Sequence, residues 1–135
     1  MASPFVDTNV LVYLMSLDAD KAARAEAVLA GRITISVQVL NEFANVARRK
    51  ACMAWPELVQ LLADIRQFAD VRPLTLATHE TALSLAARYQ LAWYDALIAA
   101  AALEAGCDTL LSEDFQNGLV LEKKLTVRNP FSSSA

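Results

Sequence analysis

Asp7, Glu42, Asp95 and Asp114 are acids set against apolar sequence. Asp7 closes Pro4-Phe5-Val6, Glu42 lies inside the stretch 37–47, Asp95 precedes the run from Ala96 to Leu103, and Asp114 follows Thr109-Leu110-Leu111-Ser112-Glu113. A carboxylate taken out of water without a partner costs several kcal/mol or loses its charge, so acids in such places have a cation or hydrogen-bond donors to serve. Two carboxylates about 5 Å apart repel by roughly 3 kcal/mol at an effective dielectric near 20, and four at one place require a divalent cation or protonation. No cysteine or histidine stands nearby at ligand spacing, and oxygen-only ligation points to Mg²⁺ or Mn²⁺ over zinc. Mg²⁺ held by carboxylates is the usual equipment of phosphate chemistry.

The elements that must position these acids follow from short apolar runs alternating with helical patterns, the mark of an α/β domain with a mainly parallel sheet. Phe5-Val6 is a first strand, and the stretch from Asn9 to Met15 is apolar. Asp18 or Asp20 caps a helix through about Ala30, ended by Gly31. Ile33-Thr34-Ile35 is a β-branched strand, and Ser36 caps a helix to about Lys50. Pro56 fits the first turn of another helix, to about Phe68. Val71 to Leu74 reads as a strand that Pro73 confines to an edge or an end. Helices from about Thr78 to Tyr89 and from Tyr94 to Gly106 precede strands at Thr109–Leu111 and Leu125–Val127. Ligands of an open parallel sheet bind at the carboxyl ends of its strands, where Asp7 and Asp114 fall. Asp95 in a first helical turn and Glu42 two turns into the second-strand helix can join them there.

The 135 residues suit one domain, residues 1–131, with residues 132–135 as a frayed tail. With 56% hydrophobic and 20% charged residues the chain is expected to be globular, and no run is long enough to span a bilayer. The start carries no basic, signal-like segment, so a cytoplasmic location is expected. Cys52 and Cys107 are expected to be reduced and buried. The formal charge of -3 argues against general nucleic-acid binding unless a cation, a basic patch or a second subunit supplies positive charge locally. His79, the one histidine, has no partner at metal-ligand spacing and is expected to cap or lie on the surface.

The sequences Phe5-Val6-Asp7-Thr8-Asn9-Val10-Leu11, Val39-Leu40-Asn41-Glu42-Phe43, Tyr94-Asp95-Ala96-Leu97-Ile98-Ala99-Ala100-Ala101 and Leu110-Leu111-Ser112-Glu113-Asp114-Phe115 together resemble, in order and spacing, the successive motifs of PIN-domain ribonucleases. They are most similar to the VapC-like toxins of bacterial toxin–antitoxin pairs, over nearly the whole chain. The resemblance implies a three-layer α/β/α PIN-like domain around a mainly parallel sheet. It also implies a Mg²⁺- or Mn²⁺-dependent endoribonuclease in which a metal-activated water attacks the phosphodiester. By it Asp7, Glu42, Asp95 and Asp114 are the metal-binding, catalytic acids, and Thr8, Asn9 and Ser112 orient them. Glu113 stands beside Asp114, and the Ser-x-Asp pattern favours Asp114. The implied partners are an RNA substrate, a small VapB-like antitoxin and a second copy of the chain.

The helix carrying Glu42 brings Asn45 and Arg49 onto its stripe, with Arg49 about 10 Å farther along the axis, where it would meet an RNA phosphate. The alternative is that Arg48-Arg49-Lys50 only complements a helix C-terminus. Two other readings of the chain compete with a nuclease. One is a catalytically silent PIN-like module that binds RNA or protein. The other is a phosphatase with Asp7 as nucleophile, disfavoured because the residue two places on is Asn9 and not a second Asp.

Overall fold

The computed structural model describes residues 3–132. Five strands, β1 (Phe5–Val6), β2 (Ile33–Ser36), β3 (Ala69–Arg72), β4 (Thr109–Leu111) and β6 (Leu125–Arg128), run parallel. β5 (Val120–Leu121) pairs antiparallel with β6, and the six form one sheet in the order β3-β2-β1-β4-β6-β5. The helices are α1 (Thr8–Val12), α2 (Ala19–Leu29), α3 (Val37–Arg49), α4 (Trp55–Gln67), α5 (Leu76–Tyr89) and α6 (Trp93–Glu104). α3 packs on α1 and α4 and lies on β2, whereas α5 packs on α6, which lies on β2 and β4. The result is a three-layer α/β/α arrangement.

Burial follows from that layering. β1 and β2 are buried at every residue, as strands covered on both faces must be; β1 is wholly apolar, whereas β2 alternates Ile33 and Ile35 with the buried Thr34 and Ser36. α6 is apolar nearly all round: Ala96, Ile98, Ala99, Ala100, Ala101 and Ala102 are buried, and the alanines let it approach both its neighbouring helix and the sheet. The two buried faces join in a core around Phe5, Ile33, Ile35, Phe43, Leu110 and Val127.

Several boundaries differ from the sequence reading. β3 occupies Ala69–Arg72, earlier than Val71–Leu74, because Pro73 cannot donate to the ladder and the strand stops before it; β3 is indeed an edge. α5 starts at Leu76, since Thr75 caps it and Thr78 closes a reciprocal capping box. Ser36 holds the cap position of α3 but makes no capping hydrogen bond. The apolar stretch after Asp7 is α1 followed by a 3₁₀ turn at Tyr13–Met15. β5 was not expected at all: its two residues meet β6 through a turn in which Glu122 and Lys123 both have positive φ, 53° and 58°. Cys107 is buried as expected, but Cys52 is exposed, just past the end of α3. Of the expected tail, Ser132 donates its N–H to Asn129, and Ser133–Ala135 lie outside the described residues.

Candidate metal centre

β1 and β4 are neighbours, and their pairing continues one step past the strands: the Asp7 N–H donates to the Leu111 carbonyl at 2.9 Å. That bond brings the residues after the two strands together. Asp7 is the N-cap of α1, its carboxylate accepting the Thr8 N–H at 2.7 Å. An acid in this position faces the positive end of a helix, although α1 is too short for that field to outweigh burial. From the β4 side, the buried Ser112 hydroxyl donates to Asp7 Oδ2 at 2.7 Å and accepts the Asp114 N–H at 3.1 Å. Asn9 links the two segments, donating from Nδ2 to Asp7 and Ser112 and accepting the Glu113 N–H at Oδ1.

α6 runs back toward this end of the sheet, so Asp95, in its first turn, reaches the same place. Ligand oxygens of Asp7, Asp95 and Asp114 all lie within 4.8 Å of one another. Asp7 is buried, Asp95 half-buried and Asp114 exposed, so the group opens to solvent on one side. Glu42 stands at its border. Its Oε1 accepts from the Thr8 hydroxyl at 2.8 Å and from Gln38 Nε2 at 3.4 Å, which leaves Oε2 without a hydrogen bond among the described residues. Glu113 points elsewhere: it accepts from the Tyr13 hydroxyl at 2.8 Å, and Lys21 Nζ donates to that hydroxyl.

The electrostatics register the crowding. Burial pushes the Asp7 carboxyl from 3.8 to about 7; the Ser112 and Thr8 donors oppose that shift, and Asp114 and Glu42 add to it. Asp95 is also raised, by burial and then by Asp114 and Glu42. None of the three ion pairs among the described residues involves any of these acids. A carboxylate cluster with no cation paired to it among the described residues, half-wrapped by donors and open on one side, fits a hard divalent ion that keeps some of its water.

The expected site residues are therefore gathered to different degrees. Asp7, Asp95, Asp114, Thr8, Asn9 and Ser112 meet at the cluster, and Glu42 adjoins it. Asn45 and Arg49 lie on the exposed part of α3, and neither lines the cleft beside the acids; Lys50 does. Gln38 was not anticipated. It is buried, and its amide donates to Glu42 and to the Tyr94 carbonyl, tying α3 to the first turn of α6. Its spacing of four from Glu42 on one helix is the only trace of this in the sequence.

Residues 5–116 match the family model described as PIN domain. No curated protein matches the sequence. Solved structures share the fold, among them the following three. A toxin–antitoxin complex from Klebsiella pneumoniae is 19% identical with a TM-score of 0.74, covering 96% of this chain and 98% of that one. The Mycobacterium tuberculosis toxin VapC20, which cleaves the sarcin–ricin loop, is 22% identical with a TM-score of 0.70, covering 89% and 98%. VapBC2 from Rickettsia felis, bound to a promoter DNA fragment, is 19% identical with a TM-score of 0.63, covering 93% and 96%.

Proposed function

The chain belongs to the PIN domain family, and from that premise we propose that it is a metal-dependent endoribonuclease serving as the toxin of a VapBC-type pair. The observation that carries this reading is the buried Asp7 with Asp95 and Asp114 inside 4.8 Å and, among the described residues, no protein cation paired to them. Those three would hold Mg²⁺, with Mn²⁺ as substitute; when bound, such an ion lowers the pKa of a water and stabilises charge on the oxygens of a phosphodiester. The chain's own residues set the stage for that ion. Ser112 and the Thr8 N–H fix both oxygens of Asp7, and Asn9 keeps the β1 and β4 segments in register. Glu42, anchored through Oε1, offers Oε2 to a water or a proton at the border of the site.

An RNA chain is the substrate this reading requires, a VapB-like antitoxin its inhibitor, and a homodimer its working form. Toxin–antitoxin complexes among the structural neighbours support the antitoxin partner. No helix among the described residues is long and apolar enough to cross a membrane, and the cytoplasm is where both RNA and antitoxin would be met. The test is cleavage of total RNA with mapping of the new ends. The wild type should cut with Mg²⁺ and stop with EDTA. Asp7→Asn and Asp95→Asn proteins that keep a wild-type circular dichroism spectrum should fall to background. RNA bound but never cut by the wild type would favour the silent binding module instead.

A further inference from the structure

A cleft leads away from the acidic centre between α1 with its following 3₁₀ turn and α3. Its inner part, about 350 Å³, begins at Thr8, Glu42 and Glu113; its outer part, about 430 Å³, continues to Leu17 and Ala51. Val12, Tyr13, Val46 and Lys50 line both parts, so the two adjoin along these side chains. Each part has the size of a small-molecule site. The walls are mostly apolar, the inner end is acidic, and among the described residues Lys50 is the one basic residue lining either part. The neighbouring cations are occupied or turned away. Arg48 stacks on Trp55 at 4.2 Å and donates to the Met53 carbonyl, Lys21 sits over the Tyr13 ring and donates to its hydroxyl, and Arg49 lines neither part. Lys50 is in none of the ion pairs among the described residues.

We propose that this cleft is the path of single-stranded RNA beside the acidic centre, with Lys50 holding a backbone phosphate next to the one that is cut. The proposal rests on the nuclease reading and adds to it a strand path and a phosphate-binding residue. Lys50 follows Glu42 by eight residues, about 12 Å along the helix. A strand whose phosphate lies at the metal centre must pass Glu42 and Glu113, which repel it, before it reaches any cation. Lys50 is the first that the cleft presents, and an uncommitted ammonium is suited to a phosphate as a point charge. Tyr13 serves as wall and not as a base platform, because Lys21 lies over its ring and Phe131 packs against it at 4.4 Å.

The experiment compares wild type, Lys50→Gln, Lys50→Glu and Arg49→Gln, each with a thermal midpoint checked against wild type. A short fluorescent single-stranded RNA is titrated in EDTA, which prevents cutting, across a salt series, and the same RNA is then cleaved in Mg²⁺. One phosphate contact on a single strand contributes about 0.7 to the slope of log affinity against log salt, equivalent to roughly a fivefold loss of affinity at 0.1 M when it is removed. Lys50→Gln should show both changes, Lys50→Glu a larger loss, and in Mg²⁺ the KM should rise by more than kcat falls. Equal affinity and slope in Lys50→Gln, or a loss confined to Arg49→Gln, would overturn the proposal. So would unchanged RNA binding with lost affinity for a protein partner, which would assign the cleft to that partner. A Lys50-dependent salt slope without any Mg²⁺ cleavage would uphold the RNA path while refuting the nuclease reading.

Discussion

Asp7 is held by donors and besieged by acids, and the balance decides how the molecule responds to pH. Its carboxyl is ordinarily near 3.8 and is pushed up to about 7 by burial. The folded protein therefore binds this proton more tightly than the unfolded chain does. Stability from this group is fully present below about pH 4 and is lost as pH rises through 7. The raised Asp95 acts in the same direction. The metal-free thermal midpoint should accordingly fall between about pH 4 and 8, and Asp7→Asn should flatten much of that decline. Added Mg²⁺ should restore the midpoint most at the high end, where the carboxylate is ionised and free to bind it. A decline no steeper in the wild type than in Asp7→Asn, both in EDTA, would count against the raised Asp7 carboxyl.

At the scale of elements, α6 is the part least able to accommodate change. Ala100 is fully buried on this helix, which packs between α5 and the sheet, and Ala100→Leu should cost about 1–3 kcal/mol by overpacking. Because the same helix carries Asp95, that variant should also lose affinity for Mg²⁺, measurable by calorimetry. The sequence disclosed α6 well: the unbroken apolar run from Ala96 to Leu103 is alanine-rich and opened by an acid, which suits a buried helix and not a strand. It also disclosed β1, β2 and β4, through the apolar pair Phe5-Val6, the β-branched Ile33-Thr34-Ile35 and the short run Thr109-Leu110-Leu111. β5 was illegible because a two-residue strand has no period, and its turn uses Glu122 and Lys123 where Gly or Asn would have signalled it. The Tyr89 hydroxyl, which accepts the Glu122 N–H and donates to its carboxylate, secures that turn from α5, and such a tertiary bond leaves no local mark. The cluster of acids was legible because Asp7, Asp95 and Asp114 each end or open a buried element. What chain order could not convey was which cation at the end of α3 faces the cleft, because Arg48, Arg49 and Lys50 differ only in rotation about the helix and in neighbours such as Trp55.

Across the whole molecule, the acidic surplus and the proposed substrate are reconciled by geometry. The net charge of -3 counts acids that a bound cation would offset, and Lys50 puts a positive charge on the cleft beside them. Sheet order carries a further consequence. β1, the first strand to reach the site, has β4 as a neighbour, and the Ser112 that grips Asp7 stands 105 residues farther along the chain. Asp7 thus waits for Ser112 and Asp114 until synthesis has passed the last of the four motifs. A chain ending at Asp108 should neither bind Mg²⁺ nor cut RNA, whereas one ending at Ser132 should do both, as calorimetry and a cleavage assay would show. On the proposed nuclease reading, a nascent chain could not cut RNA until this centre is complete: the order of the strands acts as a timer, because the acids come together only once Ser112 and Asp114 have been made.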